Sequence, residues 1–286
     1  MHLRENGQVL GIDVGFSERR RTTCFCLLRW TPDAATLSFR TTTSDPAKRR
    51  SALSQLLHHD RKLDGVAVDG PLGPGLCVLS QYRAAEALLS QGAMQKRGKP
   101  GQTSSPTGQL LHQHATSLAA LALELGEVAD SSHSEPIHSK CVVEAFPNAF
   151  LAALMDEEEF STLSRNASDV YWSRLCNSGA LTELIDEMLP GRTVAPTVHE
   201  VSDHEERAGT ICALTALSVV RGSYVAVGDP VCGDIILPPL DFWGKAATGE
   251  RWLQVMLDGA AARIAKVHPD RRGFREVRLH YRNSPD

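Results

Sequence analysis

The chain has 286 residues, of which 42% are hydrophobic and 22% charged, so its composition is that of a globular protein and excludes a disordered or fibrous one. Its formal net charge of -4 excludes a uniformly basic nucleic-acid binder. No run of residues approaches the roughly 20 apolar residues of a membrane helix. The first residues lack the apolar core of a signal peptide, and the seven cysteines form no zinc pattern. We therefore expect reduced thiols and a cytoplasmic protein without membrane contact.

The first 60 residues predict an antiparallel meander of three strands followed by a helix. The apolar runs are VLGIDV, CFCLLRW and ATLSFRTTT, and short polar segments separate them. Pro46 opens a segment with apolar residues at helical spacing, which predicts a helix that continues to about Asp60.

Strand-like and helical segments alternate in the middle of the chain. VAVD at 66–69 and CVVEA at 141–145 predict two short strands. Residues 80–95 and 110–126 predict helices, and the Gly-, Pro- and Ser-rich segment 96–109 predicts a mobile basic loop. Asn148 is the expected cap of the helix that follows the second of these strands.

The last 130 residues predict a helical excursion, a buried helix and a terminal strand pair. The excursion covers residues 156–200, and the buried helix begins after its cap Asp203 and ends at Gly222. Residues 223–238 predict the strand pair, 249–265 a last helix and 270–286 a frayed polar tail. The pattern predicts one α/β domain over residues 1–286, with a single central sheet.

Three acids share one sequence setting. Asp13, Asp69 and Glu144 each follow an apolar run, and a glycine or a proline stands one to three residues later, at Gly15, Gly70 and Pro147. A single acid in this setting is commonly a turn former, but three of them favour a shared site at one edge of the sheet. Carboxylate oxygens are the ligands that Mg²⁺ or Mn²⁺ prefers, and such ions activate water for phosphodiester hydrolysis.

Five motifs follow one another between about residue 9 and about residue 240. In chain order they are GIDVG, VAVDGPLG, VVEAFPNAF, HEERAGTICALTAL and YVAVGDPVCGDIILPP. In sequence and order they resemble the motifs of the predicted RNase H-like nuclease family, domain of unknown function 429. The resemblance implies an RNase H-like fold with a mixed five-stranded sheet flanked by helices. It also implies a divalent-metal site in which Asp13, Asp69 and Glu144 match the family's strand-end acids.

The chain departs from the family pattern on the buried helix. Family members tend to carry an aspartate where this chain has Ala208, and alanine cannot bind a metal. The substitute would be Glu205, one turn earlier on nearly the same helix face, Glu206, which fits the family's Glu-Arg pair, or His204.

Two basic segments are candidate substrate-binding residues. Arg19, Arg20 and Arg21 follow Asp13 in a polar turn and would contact a phosphate backbone, unless they form a solvated hairpin tip. Lys96, Arg97 and Lys99 lie at the start of the Gly/Pro-rich segment and would clamp a substrate, unless that segment is an ordinary surface loop.

The sequence therefore predicts a metal-dependent phosphodiester hydrolase of the RNase H-like type that acts on DNA, RNA or a small phosphodiester. One alternative is a catalytically impaired RNase H-like protein that binds nucleic acid or serves as a scaffold, which Ala208 favours. The other is an ATPase of the actin-like or sugar-kinase type, whose core also opens with a strand, an acid and a glycine. The chain shows no second phosphate loop and no Gly-Gly adenosine stretch of that class.

Overall fold

The computed structural model describes residues 3–73, 82–98, 100–131, 133, 138–163, 168–264 and 278–282. Its strands are β1 (Gly7–Asp13), β2 (Thr23–Trp30), β3 (Ala34–Thr42), β4 (Lys62–Leu63), β5 (Gly65–Asp69), β6 (Glu127–Val128), β7 (Val142–Ala145), β8 (Thr193–Ala195), β9 (Tyr224–Asp229), β10 (Gly233–Leu237) and β11 (Arg278–Arg282). Within the described residues, nine of them form one mixed sheet in the order β11-β9-β10-β7-β5-β1-β2-β3-β8, and β4 pairs separately with β6.

Helices cover both faces of this sheet. They are α1 (Pro46–Leu56), α2 (Ala84–Leu89), α3 (Met94–Arg97), α4 (Pro106–Leu125), α5 (Pro147–Leu154), α6 (Glu157–Thr162), α7 (Ser168–Ser178), α8 (Ala180–Met188), α9 (His204–Arg221) and α10 (Trp252–Ile264), with a short 3₁₀ helix at Leu240–Phe242. The prediction of an α/β fold with a mixed central sheet flanked by helices is confirmed.

The strand directions bring the ends of three central strands to one edge. β1 runs antiparallel to β2, which runs antiparallel to β3, whereas β1, β5, β7 and β10 are mutually parallel. The carboxyl ends of β1, β5 and β7 therefore lie at the same edge of the sheet, which is where parallel sheets commonly build their sites.

Helix α9 lies directly against one face of the sheet. A Cβ atom added at Gly11 of β1 would come within 2.2 Å of the Ala213 backbone nitrogen, so the helix and the strand are in backbone contact there. Gly209 of α9 similarly faces Cys24 and Cys26 of β2. The helices α5, α7 and α8 also contact α9, so it is buried on more than one side and is apolar nearly all round. The Asp203 side chain caps it by accepting from the Glu205 and Glu206 amides, and Gly222 ends it with φ 71°, as predicted.

The opposite face of the sheet packs against α1 and α4. Apolar side chains of β1, β2 and β5 meet those of the two helices in a second core that includes Leu10, Ile12, Phe25, Val68, Leu53, Leu118 and Ala119. Alternate residues of each strand thus belong to different cores, because successive side chains of a strand point to opposite faces.

Among the described residues the sheet has nine strands, four more than the five that the resemblance implies. The terminal pair β9 and β10 is antiparallel as predicted, but β10 also pairs with β7 and joins the main sheet. β8 and β11 extend the sheet at its two edges. β11 falls within the stretch 270–286 that was expected to be a frayed tail, and the remaining residues of that stretch lie outside the described part of the chain.

Two local expectations are corrected. Phe146, not Asn148, is the cap of α5, because Pro147 occupies the first helical position, for which its fixed φ is suited. The helix expected over 80–95 is instead two short helices, α2 and α3, and residues 80 and 81 lie outside the described part. Gly92 separates them with φ 50°, a left-handed conformation that a continuous helix does not contain. Along the described residues, none of the helices combines the length and apolarity needed to cross a membrane.

Candidate active site at the carboxyl ends of β1 and β5

Asp13 and Asp69 are brought together by the register of β1 and β5. Ile12 pairs with Val68, so the next residue of each strand, Asp13 and Asp69, lies level with the other. The two carboxyl groups share a hydrogen bond. Both side chains open onto a pocket of about 100 Å³ whose other walls come from α5, α7 and α9.

The environment of this pair opposes double ionisation. Burial, followed by the charges of Asp69 and Glu205, raises the pKa of Asp13 well above its ordinary value. Burial, followed by the charge of Glu144, raises the pKa of Asp69 to about 7. The raised pKa values of both carboxyl groups thus disfavour their joint ionisation near neutral pH, and a bound cation would favour the ionised forms.

Glu144, the third predicted acid, is engaged elsewhere. It pairs in register with Val68, so its side chain projects from the face opposite Asp13 and Asp69. Arg83 donates to both of its carboxylate oxygens, at 2.8 Å and 2.5 Å, and the Leu72 amide donates to one of them at 3.2 Å. Because these donors occupy both oxygens, this geometry does not support the prediction that Glu144 binds a metal.

Arg83 is part of a larger buried network. Its Nε donates to Glu86 at 2.9 Å and to the Thr103 hydroxyl at 3.1 Å, and its Nη1 also reaches the Cys232 carbonyl at 3.2 Å. Both side chains of the Arg83–Glu144 ion pair are only 2% exposed. Burial raises the pKa of Glu144, and the charge and hydrogen bonds of Arg83 oppose that rise. The network fixes the carboxyl end of β7 beside the aspartate pair.

The first two turns of α9 form one wall of the pocket. Ala208 lies on that wall, so the position where a fourth carboxylate was expected presents a methyl group to the pocket. His204 also lines the pocket, and its Nδ1 lies 3.1 Å from Oδ1 of Asp169 on α7. Arg207 donates to the same Asp169 oxygen at 2.9 Å. Burial tends to raise the pKa of Asp169, but the hydrogen bonds from His204 and Arg207 outweigh it and hold that pKa below its ordinary value.

The two glutamates of the same turn face different groups. Glu205 lies near enough to Asp13 to raise the pKa of that aspartate. The Glu206 charge, after burial, contributes to the raised pKa values of the Cys24 and Cys26 thiols of β2. Burial and the nearby Asp203 charge raise the pKa of Glu206 itself. Of the three residues that were candidates to replace an acid at position 208, Glu205 has the closest electrostatic link to the pair, and His204 lines the pocket.

The donor set fits a sparse metal site and not a dense one. Among the described residues no group of three or more His, Cys, Asp or Glu side chains is already arranged to hold a metal ion. Mg²⁺, however, commonly keeps several waters and takes only one or two protein carboxylates. Two hydrogen-bonded aspartates that resist ionising together are such a pair, so Asp13 and Asp69 would hold Mg²⁺ or Mn²⁺. Glu205 is a further acid whose charge acts on Asp13.

The predicted substrate-binding residues divide into two groups. Arg19 and Arg20 are exposed in the turn between β1 and β2, as expected. Lys96 and Arg97 lie in α3, and the loop expected there begins only after Gly98. Arg97 donates to the carbonyls of Leu163 and Ser161, both at 2.7 Å, so it ties α3 to α6 and is not free to clamp a substrate. Lys96 is exposed. Lys99, in the same segment, lies outside the described residues.

Several residues of the site gave little or no signal in the sequence. Arg83 and Glu86 stand three apart, as surface ion pairs of helices often do, and nothing marked them as buried. Asp169 lies in the polar segment 156–200, which the pattern showed only as a helical excursion. Asn148, which the sequence marked only as a helix cap, lines the pocket, and its Oδ1 is buried without a hydrogen-bond partner among the described residues.

Comparison with known proteins gives no relative: no protein-family model, no curated protein and no solved structure matches this chain.

Proposed function

We propose that the protein is a divalent-metal-dependent phosphodiester hydrolase, with Asp13 and Asp69 as its metal-binding carboxylates. The observation that carries the proposal is the hydrogen-bonded aspartate pair at the edge of the sheet, open to a pocket and with both pKa values raised. Such a pair is stabilised in its ionised form by a cation, and hard divalent cations prefer carboxylate oxygens.

The strand order supports a family assignment as part of this proposal. Five adjacent strands of the sheet have the order β3-β2-β1-β5-β7. β2 is antiparallel to both β3 and β1, whereas β5 and β7 run parallel to β1. That order and those directions fit the mixed five-stranded sheet of an RNase H-like fold. We propose on this basis, and on the motifs, that the chain is a member of the predicted RNase H-like nuclease family.

Each side chain around the pocket has a separate task in this proposal. A divalent ion, when bound, would supply a nucleophilic water and neutralise charge on the phosphate. Asp13 and Asp69 would hold that ion, and the Glu205 charge would strengthen the local negative potential. Asp169 orients His204 through Nδ1, which leaves Nε2 as the ring nitrogen available to transfer a proton. The apolar wall that includes Trp172 and Ile211 would limit the access of water.

Substitution of Asp13 tests the proposal most directly. Asp13→Asn keeps the side-chain shape and removes the charge, so we expect Mg²⁺- or Mn²⁺-dependent cleavage of single-stranded DNA, RNA and bis-p-nitrophenyl phosphate to fall by at least about a hundredfold. Asp241→Asn is a matched control, because Asp241 is an exposed acid paired with Arg251 on the surface. Cleavage that is equal in wild type and Asp13→Asn would exclude the assignment.

A second candidate is a nucleic-acid-binding protein of the same fold without hydrolytic activity. Ala208 on the pocket wall and the engagement of Glu144 by Arg83 favour it, since both reduce the number of free acids. Isothermal titration with Mn²⁺ separates the candidates. Heat of binding that disappears in Asp13→Asn supports the hydrolase, whereas nucleic-acid binding without any Mn²⁺ binding selects the second candidate.

A further inference from the structure

A second groove lies at the same edge of the sheet as the aspartate pair, on the other face. It has a volume of about 410 Å³ and is lined by the end of β3, by Arg21 two residues before β2, and by one side of α1 from Lys48 to Gln55. Three cationic side chains line it together with hydroxyl and amide groups, and none of its lining residues is acidic; the lining comprises Arg21, Arg40, Lys48, Thr41, Thr42, Thr43, Ser51, Ala52 and Gln55.

The cations of this groove are not neutralised by the described part of the protein. Arg21, Arg40 and Lys48 are all exposed, and none of them takes part in a salt bridge among the described residues. The nearest acids along the chain are Glu18 and Asp45. The Asp45 carboxylate accepts from the Lys48 amide at 2.8 Å and thereby caps α1.

One cation of the groove is already oriented by the fold. The Arg21 guanidinium donates from Nε at 3.0 Å and from Nη2 at 2.8 Å to the Thr41 carbonyl. This bidentate contact leaves Nη1 for a ligand, and a pre-positioned guanidinium loses less conformational freedom on binding an anion than a free one does.

A fourth cation lies buried beside the groove. Arg49 is 4% exposed, and its partners are the Gly15 carbonyl, the Thr23 hydroxyl at 3.0 Å and His114 Nδ1 at 3.0 Å. It has no acidic partner among the described residues, and its Nε makes no hydrogen bond there. A buried charge is screened less by salt than an exposed one, so Arg49 adds to the positive potential on this side of the sheet.

The groove and the aspartate pair are near neighbours. Asp13 pairs with Cys24, and Cys24 pairs with Thr41, so Thr41 lies two strand spacings from Asp13. This distance is about 10 Å, or roughly three nucleotides of a stacked strand. The exposed Arg19 and Arg20 lie in the turn that joins β1 to β2, at the same edge.

We infer that the groove of Arg21, Arg40 and Lys48 binds the phosphodiester backbone of a nucleic acid that continues from the aspartate pair across the β1–β2 turn. The inference deepens the proposed function and rests on it for the location of the scissile bond. Unpaired cations with hydroxyl donors are the groups that commonly contact phosphate oxygens, and they hold a strand without reading its sequence. The groove therefore predicts affinity that depends steeply on salt and little on base sequence.

The test compares two triple variants of the full-length chain. The groove variant is Arg21→Gln/Arg40→Gln/Lys48→Gln, and the control is Arg4→Gln/Arg61→Gln/Lys62→Gln, which removes three exposed charges at the opposite end of β1. Both change the net charge by the same amount. Thermal unfolding of each variant checks that the fold is retained, as expected for exposed side chains.

Binding is measured by fluorescence anisotropy of labelled 20-nucleotide DNA and RNA strands in EDTA, between 50 and 200 mM salt. We expect the groove variant to bind at least about tenfold more weakly than wild type at the lowest salt. The negative slope of log K against log salt should decrease in magnitude by about two to three. The control should bind like wild type. No difference between the groove variant and wild type, equal weakening in both variants, or no binding by wild type would each overturn the inference.

The failure of this inference and that of the proposed function are distinguishable. If wild type hydrolyses bis-p-nitrophenyl phosphate with Mn²⁺ but binds neither strand, the groove is refuted and the aspartate site stands. If the strands bind through the groove but Asp13→Asn leaves hydrolysis unchanged, the groove stands and the assignment of the catalytic site fails.

Discussion

The Asp13–Asp69 pair and the Glu144–Arg83 pair lie beside each other at the carboxyl ends of β1, β5 and β7, but their electrostatic environments are opposite. Arg83 neutralises Glu144 within the protein through two hydrogen bonds. Asp13 and Asp69 share a hydrogen bond with each other, and both have raised pKa values. The first pair is complete without a ligand, whereas the second can ionise fully only with a cation from outside.

Strand register is the physical origin of the difference. Asp13 and Asp69 are level across β1 and β5, while Glu144 is level with Val68, one residue earlier. A displacement of one residue moves a side chain to the other face of a sheet. The same local pattern of strand, acid and Gly or Pro thus places two acids at the pocket and the third in a buried ion pair.

The largest expected effect comes from removing Arg83. Arg83→Met leaves Glu144 and Glu86 buried without their cation, so we expect the free energy of unfolding to fall by about 3 to 5 kcal/mol. Urea denaturation measures it. Arg50→Met is the matched control, since the Arg50–Glu124 pair has the same 2.5 Å contact but side chains that are 49% and 57% exposed.

The control should lose much less stability than Arg83→Met, because exposed ion pairs are screened by solvent. A loss of similar size in both variants would show that burial does not make the Arg83 network electrostatically important.

The aspartate pair should lower the free energy of unfolding as pH rises, whereas an ordinary ion-paired acid increases it. Because the pKa of Asp69 rises from 3.8 to about 7 on folding, the folded protein holds a proton that the unfolded chain has released across that interval. The free energy of unfolding therefore decreases as pH rises from about 4 to about 7. Asp69→Asn should remove this contribution. Between pH 5 and pH 8 the variant should therefore lose less free energy of unfolding than wild type, by up to about 2 kcal/mol after discounting for solvent screening.

Urea denaturation in EDTA at the two pH values measures this change, with Asp241→Asn as the control. Added Mg²⁺ should stabilise wild type at pH 8 more than Asp69→Asn. An identical pH dependence in wild type and Asp69→Asn would contradict the raised pKa.

A smaller effect should follow from adding the acid that the pocket wall lacks. Ala208→Asp places a third carboxylate near Asp13 and Asp69, so we expect about 1 kcal/mol of destabilisation in EDTA from like-charge repulsion. Mn²⁺ should reverse it and raise the unfolding temperature more than it does for wild type. Ala208→Asn is the control, because it adds a side chain of the same shape without charge. If Mn²⁺ stabilises both variants equally, position 208 does not face the metal.

Several elements were predictable because their signals are local. The meander β1–β3, the helix α9 with its Asp203 cap and its Gly222 terminus, and the pair β9–β10 all follow from apolar periodicity and capping residues. The nine-stranded sheet was not predictable, because β8 and β11 are short edge strands whose pairing depends on distant segments. The cap of α5 was mistaken because Pro147 and Asn148 are both strong signals for a helix start, and only the backbone conformation decides between them.

The sequence by itself determined that acids stand at the ends of three short strands and that the helix facing them carries Ala208. It could do so because strand periodicity and helix capping depend on neighbouring residues. Only the tertiary structure decided which acids meet. Three features depend on residues far apart in the chain: the register of β1, β5 and β7, the ion pair of Arg83 with Glu144, and the contact between Asp169 and His204. No local pattern encodes these contacts. A site predicted from three equivalent acids is therefore, in the folded protein, two aspartates open to a pocket and one glutamate already neutralised.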